Sequence, residues 1–271
     1  MNRQAKRIAI ITGASSGLGA EYARQLAVHD DVRAAGLDEF WLIARREDRL
    51  HQLAKTLRLP SRVLALDLST NEGLEQVKRE LETQQPEVLF LINSAGFGKT
   101  AAFADIDIEV HQRMIRLNIE ATTLLCQLVL PYLVKGSRIL NIASVGGFMP
   151  QTHFNVYSAS KAYVISFSRA LNDELKARGI HVTAVCPGPM ETEFFDVTSD
   201  GQKEQTERAL YTRKIKDLGL EDPQKVVALT LRKSLKGKDM VVTSLVGKLL
   251  LFVSRIMPHR FVLWVEHKMG M

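Results

Sequence analysis

Short apolar runs alternate with segments of helical periodicity along most of the chain. The apolar runs predict buried β-strands at Arg7–Thr12, Phe40–Ala44, Arg62–Leu66, Val88–Asn93, Arg138–Ala143, His181–Cys186 and Met240–Thr243. The intervening segments predict helices near Gly17–Val28, Arg46–Leu57, Asn71–Thr83, Ile108–Val134, Val156–Arg178 and Pro223–Leu235. This alternation is typical of βαβ units. It predicts an α/β protein with a Rossmann-like, doubly wound fold, in which helices flank a seven-stranded parallel sheet.

No repeat, low-complexity segment or flexible linker divides the chain. We therefore expect one catalytic domain over residues 1–245, with residues 246–271 forming a C-terminal helical tail of the same domain. Two stretches exceed the usual length of a connection. Residues 29–39 are expected to form an exposed insertion with a short extra turn. Residues 188–218 follow the carboxyl end of a strand and are expected to form a substrate lid.

The composition is that of an ordinary globular protein, with 46% hydrophobic and 24% charged residues in 271. It excludes a disordered, collagen-like or disulfide-stapled chain. No apolar run approaches the roughly 18 residues of a membrane span, and the run after the basic N-terminus is too short for a secretory signal. Cys126 and Cys186 lie in apolar surroundings, which predicts buried free thiols. These features predict a cytoplasmic protein.

The net charge of +6 is mild and most basic residues are interspersed with acidic ones, so no nucleic-acid partner is expected. Half of the excess lies in residues 245–271, where four cations face a single carboxylate: Lys248, Arg255, Arg260 and Lys268 against Glu266. A helix is predicted over Ser244–Met257, and an apolar run resumes after Pro258. Three alternatives remain open for this tail. We favour packing on its own domain or a partner subunit over a cover on the substrate pocket or a membrane-surface helix.

A glycine-rich loop, Thr12–Gly19, follows the first predicted strand and opens the first predicted helix. Gly13, Gly17 and Gly19 allow the backbone to turn tightly and to approach a pyrophosphate, and amides at the helix N-terminus point at the anion. The spacing Gly-x-x-x-Gly-x-Gly differs from the usual dinucleotide fingerprint, and a plain turn is the alternative. The position between a strand and a helix favours nucleotide binding.

Five segments together resemble the short-chain dehydrogenase/reductase family in order and spacing. They are Thr12–Gly19, Asn93–Gly96, Ser144, Tyr157–Lys161 and Pro187–Thr192. The resemblance covers roughly residues 6–245. It implies an NAD(P)(H)-dependent oxidoreductase that acts on an alcohol/carbonyl pair.

Four residues are predicted to carry the chemistry. Hydride reduction of a ketone needs an acid beside the oxygen, and Tyr157 is the candidate. Lys161 follows by one helical turn, so its ammonium is expected to lower the pKa of the phenol. Ser144 is predicted to donate a hydrogen bond to the substrate oxygen. The resemblance also implies that Lys161 holds the nicotinamide ribose and that Asn118 holds a water on the proton path, with a structural role as the alternative for Asn118.

The second predicted strand ends at Ala44 without the acidic residue that accepts the ribose hydroxyls of NAD. Arg45 and Arg46 can instead offer forked donors to a 2′-phosphate, so we predict NADP(H) over NAD(H). A solvated helix start paired with Glu47 and Asp48 is the alternative. With the contacts that the resemblance implies, the predicted cofactor-binding residues are Gly13, Ser15, Ser16, Gly17, Leu18, Gly19, Arg45, Arg46, Asp67, Leu68, Asn93, Ala95, Gly96, Tyr157, Lys161, Pro187, Gly188, Met190 and Thr192.

The predicted substrate wall is mostly apolar and aromatic. Its residues are Ser144, Phe148, Met149, His153, Phe154, Met190, Phe194 and Phe195. Such a wall favours a hydrophobic alcohol or ketone over a sugar phosphate, and steroids, acyl chains and xenobiotic ketones all fit it. For His153, an exposed loop position is the alternative.

The sequence therefore predicts an NADP-dependent carbonyl reductase acting on CH–OH groups, without a metal, assembled as a homodimer or homotetramer. The alternative is a catalytically weak NADP(H)-binding sensor or regulatory protein with the same fold. The complete set of Asn118, Ser144, Tyr157 and Lys161 argues against a sensor. An epimerase or dehydratase acting on nucleotide sugars is disfavoured by the short substrate region and the glycine spacing.

Overall fold

The computed structural model describes residues 5–190 and 219–268 of the chain. Its strands form one parallel sheet in the order β3-β2-β1-β4-β5-β6-β7. They are β1 Arg7–Thr12, β2 Glu39–Ala44, β3 Ser61–Ala65, β4 Glu87–Asn93, β5 Leu133–Ile142, β6 His181–Cys186 and β7 Met240–Val242. The predicted seven-stranded, Rossmann-like sheet is confirmed.

Helices cover both faces of the sheet. They are α1 Gly17–Val28, α2 Asp30–Ala34, α3 Glu47–Thr56, α4 Asn71–Gln84, α5 Ile108–Ile115, α6 Thr122–Val129, α7 Asn155–Leu175, α8 Pro223–Leu235, α9 Leu245–Ile256 and α10 His259–Lys268. A π-helical turn, Arg116–Ala121, joins α5 to α6. The short helix α2 is the extra turn predicted within residues 29–39. Within the described ranges, no helix combines the length and apolarity that crossing a membrane requires.

The largest error among the predicted boundaries lies at the start of the fifth strand, and the others differ by at most a few residues. The helix expected to continue to Val134 ends earlier, and β5 begins at Leu133, five residues before the predicted start. Pro131 lies in a 3₁₀ turn after α6 and has no N–H group to continue a helix. Leu133 is buried and pairs with Val88 of β4, so burial and strand pairing extend β5 toward the N-terminus.

The core has two layers because successive strand residues point to opposite faces of the sheet. Ile11 packs in the layer beneath α1 and α8, whereas Ile10 packs in the layer beneath α4 and α6.

Both cysteines are buried free thiols, as predicted, and burial raises the pKa of Cys126 and of Cys186 to about 12. The division into residues 1–245 and a tail over 246–271 stays a prediction, although α9 begins at that boundary.

The carboxyl ends of β1 and β4 are fastened together at Thr12, which pairs in register with Asn93. The buried Thr12 hydroxyl accepts hydrogen bonds from the amides of Ser94 and Ala95, each at 3.0 Å. Gly13 has φ +65°, and a Cβ there would lie 2.9 Å from the Ala95 nitrogen. The loops that leave the two strands are therefore in backbone contact.

Replacing Tyr22 by Phe is expected to lower the free energy of unfolding by about 1 kcal/mol. The buried Tyr22 hydroxyl lies 2.6 Å from Thr230 Oγ1 and joins α1 to α8. Thr230 can donate to the carbonyl of Val226 at 2.8 Å, so it accepts from Tyr22. Urea unfolding followed by circular dichroism measures the change.

Tyr163→Phe is the matched control. Tyr163 contacts Thr123 at 2.9 Å in an exposed pair, and Thr123 likewise reaches a carbonyl of its own helix, that of Ile119. Water can replace the exposed hydrogen bond, so this variant should change stability by less than about 0.5 kcal/mol. Equal effects of the two substitutions would contradict the role assigned to burial.

Candidate active site

The loop after β1 forms an anion cradle at the N-terminus of α1. Ser16 is the N-cap residue, but its side chain makes no capping hydrogen bond, and the first turn of α1 carries no acidic residue. The first N–H groups of α1 therefore remain available to donate to an anion, and the helix dipole favours a negative charge at this end. Gly19 lets the helix pack on the loop, because a Cβ there would lie 2.4 Å from the Gly13 carbonyl oxygen. These features fit a dinucleotide pyrophosphate.

Two arginines follow β2 beside this cradle. Arg46 donates from Nη2 to the hydroxyl oxygens of Ser16 at 2.8 Å and Ser15 at 3.1 Å. Arg45 is exposed and makes no hydrogen bond or ion pair with the residues that the structure describes. Arg46 thus holds the loop through its two serine side chains. Both arginines line a cavity that extends from this loop to α7.

The catalytic candidates meet where β5 and α7 adjoin. Tyr157 is hydrogen-bonded to Ser144, and Lys161 donates from Nζ to the carbonyl oxygen of Ile142 at 2.7 Å. The Lys161 nitrogen lies 5.6 Å from the centre of the Tyr157 ring. Gly147 lets the turn after Ser144 lie against α7, because a Cβ there would lie 2.6 Å from the Lys161 carbonyl carbon. The 3₁₀ turn that follows Ser144 therefore packs directly on the backbone of α7.

Burial controls the protonation of this pair. It raises the pKa of Tyr157 to about 12, although the hydrogen bond to Ser144 opposes the shift. It also lowers the pKa of Lys161 to about 8, since the charged form is desolvated. The predicted lowering of the Tyr157 pKa by Lys161 does not hold in this structure, because burial desolvates the phenolate and the Lys161 ammonium donates to the Ile142 carbonyl. Tyr157 consequently keeps its proton at neutral pH and is poised as an acid.

Asn118 lies in the π-helical turn, behind Lys161. Its Oδ1 accepts from the Phe97 amide at 3.1 Å, and its Nδ2 donates to the Phe97 carbonyl at 2.9 Å and to Ser160 Oγ at 3.1 Å. A Cβ on Gly96 would lie 3.0 Å from Asn118 Oδ1 and 3.5 Å from Lys161 Nζ. Asn118 thus connects the loop after β4 to α7. These contacts agree with the structural alternative, and the water-holding role stays a prediction.

A cavity of about 1060 Å³ connects the cradle with the catalytic candidates. It contains most of the predicted residues: Gly13, Ser15, Ser16, Gly17, Leu18, Arg45, Arg46, Asp67, Leu68, Ala95, Gly96, Ser144, Phe154, Tyr157, Lys161, Pro187, Gly188 and Met190. Gly19, Asn93 and Asn118 are buried outside the lining. Asn93 donates to Asn141 Oδ1 at 2.8 Å and so supports the sheet from within.

Three predicted substrate residues lie outside this cavity: Phe148, Met149 and His153. Phe148 packs instead against the small cluster around Val164 and Cys186. His153 is exposed at φ 59°, and its carbonyl accepts from the Ala101 amide, which agrees with the loop alternative. Thr192, Phe194, Phe195 and the predicted lid beyond Met190 fall outside the described residues.

The cavity also contains residues that the sequence did not indicate. The segment after β4 and helix α5 contribute Phe97, Lys99, Asp105, Ile106, Asp107, Val110 and Arg113, and the C-terminal helix contributes Val246, Gly247 and Leu250. The length of the segment between β4 and α5, at the carboxyl edge of the sheet, was an available signal for the first group. The α9 residues agree with the open alternative of a tail that covers the substrate pocket, although no local pattern identified which of them line it.

Gln151 is a further lining residue that sequence reasoning missed. Its Oε1 is buried and makes no hydrogen bond to the described residues. A Cβ on Gly146 would lie 3.2 Å from that oxygen and 3.4 Å from Ser144 Oγ, so the amide stands beside the catalytic candidates. Gln151 therefore offers a hydrogen-bond acceptor next to Ser144 and Tyr157.

The family model described as short chain dehydrogenase matches residues 7–203. Sulfoacetaldehyde reductase 2 from Chromohalobacter salexigens is 35% identical over 232 residues, which cover 82% of this chain and 87% of that protein. The very-long-chain 3-oxoacyl-CoA reductase of Homo sapiens is 30% identical over 223 residues, which cover 79% of this chain and 69% of that protein.

Among solved structures, the short-chain dehydrogenase from Sphingobium yanoikuyae in complex with NADPH gives a TM-score of 0.74 at 28% identity. The match covers 98% of this chain and 94% of that one. The seven-stranded parallel sheet agrees with these matches. The chain therefore belongs to the short-chain dehydrogenase/reductase family of oxidoreductases, which act on alcohol and keto groups.

Proposed function

We propose that the protein is an NADP(H)-dependent reductase that interconverts a hydrophobic ketone or aldehyde and its alcohol. The observation that carries the proposal is the position of Ser144, Tyr157 and Lys161 in the same cavity as the anion cradle. A sensor would need the cradle but not a buried acid beside it. The competing sensor function therefore has no observation in its favour.

The proposed chemistry follows from the proton positions. A bound nicotinamide cofactor would supply or accept the hydride. Tyr157, protonated at neutral pH, gives its proton to the carbonyl oxygen as negative charge develops there. Ser144 accepts from the Gly146 amide at 3.1 Å. Its O–H, which is hydrogen-bonded to Tyr157 in the free site, would donate to the carbonyl oxygen when a substrate is bound.

Lys161 has two tasks in this proposal. Its ammonium carries three N–H donors and gives one of them to the Ile142 carbonyl, so two are left for the hydroxyls of a nicotinamide ribose. Its pKa of about 8 also allows Lys161 to exchange a proton near neutral pH, which suits the resupply of a proton to Tyr157.

The lining of the cavity supports a hydrophobic substrate. Phe97 and Phe154 pack with Tyr157. Ile106 lines the same cavity, and Val246 and Leu250 add an aliphatic wall from α9. Other parts of the lining are charged, at Lys99, Asp105, Asp107 and Arg113, so the support comes from the apolar side chains named above and not from the cavity as a whole. The names of the two relatives point to different substrates, a small sulfonate and a long acyl chain. The apolar lining favours a substrate of the second kind.

The arginines after β2 support NADP(H). A guanidinium binds a phosphate through paired, charge-assisted hydrogen bonds, and Arg45 has its donors available for this purpose. The solved relative bound to NADPH agrees with this preference. Arg46 is held by Ser15 and Ser16, so it would supply the second edge of the phosphate site.

Tyr157→Phe should lower kcat for NADPH-dependent reduction by about 10²–10⁴-fold with little change in KM, because the ring shape is kept and the proton is lost. Reduction of a panel of hydrophobic ketones and an acyl thioester, followed by NADPH absorbance, measures the loss. Tyr163→Phe, on the exposed side of the same helix, should retain wild-type activity. Turnover by Tyr157→Phe near the wild-type rate would exclude this proton donor.

In the oxidative direction the same tyrosine must first lose its proton. Its pKa is raised by burial, so kcat/KM for alcohol oxidation should increase with pH above neutrality. A flat profile between neutral and alkaline pH would contradict Tyr157 as the base.

Arg45→Ala should lower kcat/KM for NADPH by about 10- to 100-fold, the loss expected when one charge-assisted contact to a phosphate disappears. The value for NADH should change little, because NADH has no 2′-phosphate. Arg45 is preferred to Arg46 for this test, since Arg46 also holds the loop. Arg58→Ala, an exposed arginine outside the cavity, is the control. Parallel losses with NADPH and NADH would refute a 2′-phosphate contact.

A further inference from the structure

The C-terminal helices carry a concentrated apolar surface. Eight of the fifteen exposed large hydrophobic side chains in the described residues lie between Leu245 and Trp264. Four of them, Leu245, Leu249, Phe252 and Ile256, are spaced by four, three and four residues, which places them along one face of α9. Each is at least 61% exposed. Phe261, Leu263 and Trp264 extend the exposed apolar surface onto α10. We call these seven side chains the tail surface.

The charges around the tail surface have one sign. The sequence from Met240 to Val265 contains no Asp or Glu, whereas Lys248, Arg255 and Arg260 all lie within it. Lys248 and Arg255 are seven residues apart on α9 and flank the same side of the apolar stripe. All three are exposed, and none forms an ion pair with a described residue. The surface is therefore apolar along its centre and cationic along its edge.

This charge distribution discriminates between occupants. A second copy joined through the same stripe would add cations and no carboxylate from residues 240–265, so neither copy would neutralise the charges of the other. An anionic phospholipid surface instead complements both properties. Its acyl region accepts the exposed Leu, Phe and Trp side chains, and its headgroups attract the flanking cations.

The opposite side of α9 is fixed to the catalytic domain. Ser244 caps the helix by accepting from the Gly247 amide at 2.9 Å. A Cβ on Gly247 would lie 2.7 Å from Val145, in the turn after Ser144. Val246 and Leu250 line the cavity. Helix α9 therefore presents one side to the cavity and leaves the other uncovered by the described residues.

We propose that α9 and α10 dock the protein onto an anionic phospholipid surface, with the tail surface buried among the lipids and Lys248 and Arg255 at the headgroups. This inference does not depend on the proposed function, because it rests on surface residues and not on the catalytic candidates. On sequence alone, packing of the tail on its own domain or a partner subunit was favoured over a membrane-surface helix, and the exposed tail surface reverses that preference. Helix α9 forms one wall of the cavity, so docking would place that wall beside the lipid.

The test is co-sedimentation of the full-length protein with vesicles of phosphatidylcholine alone or phosphatidylcholine with phosphatidylglycerol. We expect binding to the anionic vesicles that weakens as salt is added. Lys248→Ala and Arg255→Ala should each weaken this binding by about 5-fold, the factor that corresponds to one cation near an anionic membrane. The double variant Leu249→Ser/Phe252→Ser should reduce it by at least about 10-fold, since two large apolar side chains no longer enter the lipid.

Two substitutions elsewhere serve as controls. Phe103→Ser removes an equally exposed aromatic residue outside the tail, and Arg58→Ala removes an exposed cation. Both should bind vesicles as the wild type does. All the substituted side chains are exposed, and circular dichroism checks that each variant is folded. Ketone reduction by the tail variants without vesicles should stay at the wild-type level, so failure of the docking inference is distinguishable from failure of the proposed function.

Three results would overturn the inference. The first is no sedimentation of the wild type with anionic vesicles. The second is equal binding to neutral and anionic vesicles, since the cations would then contribute nothing. The third is a wild-type oligomer, measured by light scattering, that Leu249→Ser/Phe252→Ser converts to a monomer, because the tail surface would then be an interface between copies of this chain.

Discussion

The hydroxyl group of Thr12 joins the two halves of the site. It is buried at the end of β1 and accepts hydrogen bonds from two successive amides at the end of β4. The loop that cradles an anion and the loop that leads to Asn118 therefore cannot move apart without breaking both of these part-buried hydrogen bonds. A second layer of support lies beneath it. Asn93 donates to Asn141, which donates to Ser168 of α7 at 2.9 Å, so β4, β5 and the helix of Tyr157 are held in one buried chain of hydrogen bonds.

Burial has opposite effects on the two central ionisable groups, and both effects serve the same chemistry. Desolvation disfavours a charged group, so it keeps the phenol of Tyr157 protonated and makes the ammonium of Lys161 easier to deprotonate. The pKa values of acid and relay, nearly equal in water, are therefore moved apart, to about 12 for Tyr157 and about 8 for Lys161, which favours proton transfer from the Lys161 ammonium to a Tyr157 phenolate. The surroundings that achieve this are mainly backbone and apolar groups, since Gly147 lets one chain segment lie directly on α7 and Phe154 stacks on Tyr157 at 4.2 Å between ring centroids.

The sequence was sufficient for those features that depend on local pattern. Buried parallel strands are continuous apolar runs, and the glycine loop and the Tyr157–Lys161 spacing are short, so β1, β4, β6 and the catalytic helix were predicted closely. Prediction failed where tertiary contacts decide. The start of β5 depends on pairing with Val88, and Phe148 was assigned to the cavity although it packs against the cluster around Val164 and Cys186. A tail that covers the pocket was one open alternative, but Gln151 and the particular lining residues of α9 could not be identified, because their partners are distant in sequence. The pKa of Tyr157 was predicted from the nearby Lys161 ammonium alone, without the free-energy cost of burying the phenolate.

The π-helical turn at Arg116–Ala121 places Asn118 among the loop after β4, Lys161 and Ser160. A π turn closes its hydrogen bonds over one more residue than an α turn does. It is therefore equivalent to a one-residue insertion in a continuous helix from α5 through α6. Loss of a single codon here would restore α-helical phase and leave both flanking helices packed as before, while Asn118 would turn away from its partners. In evolutionary terms, the fold could lose this part of the site in one step, at the cost of the hydrogen bonds from Asn118 to Phe97 and Ser160. The length of this segment is therefore a simple indicator of whether a related chain keeps the complete site.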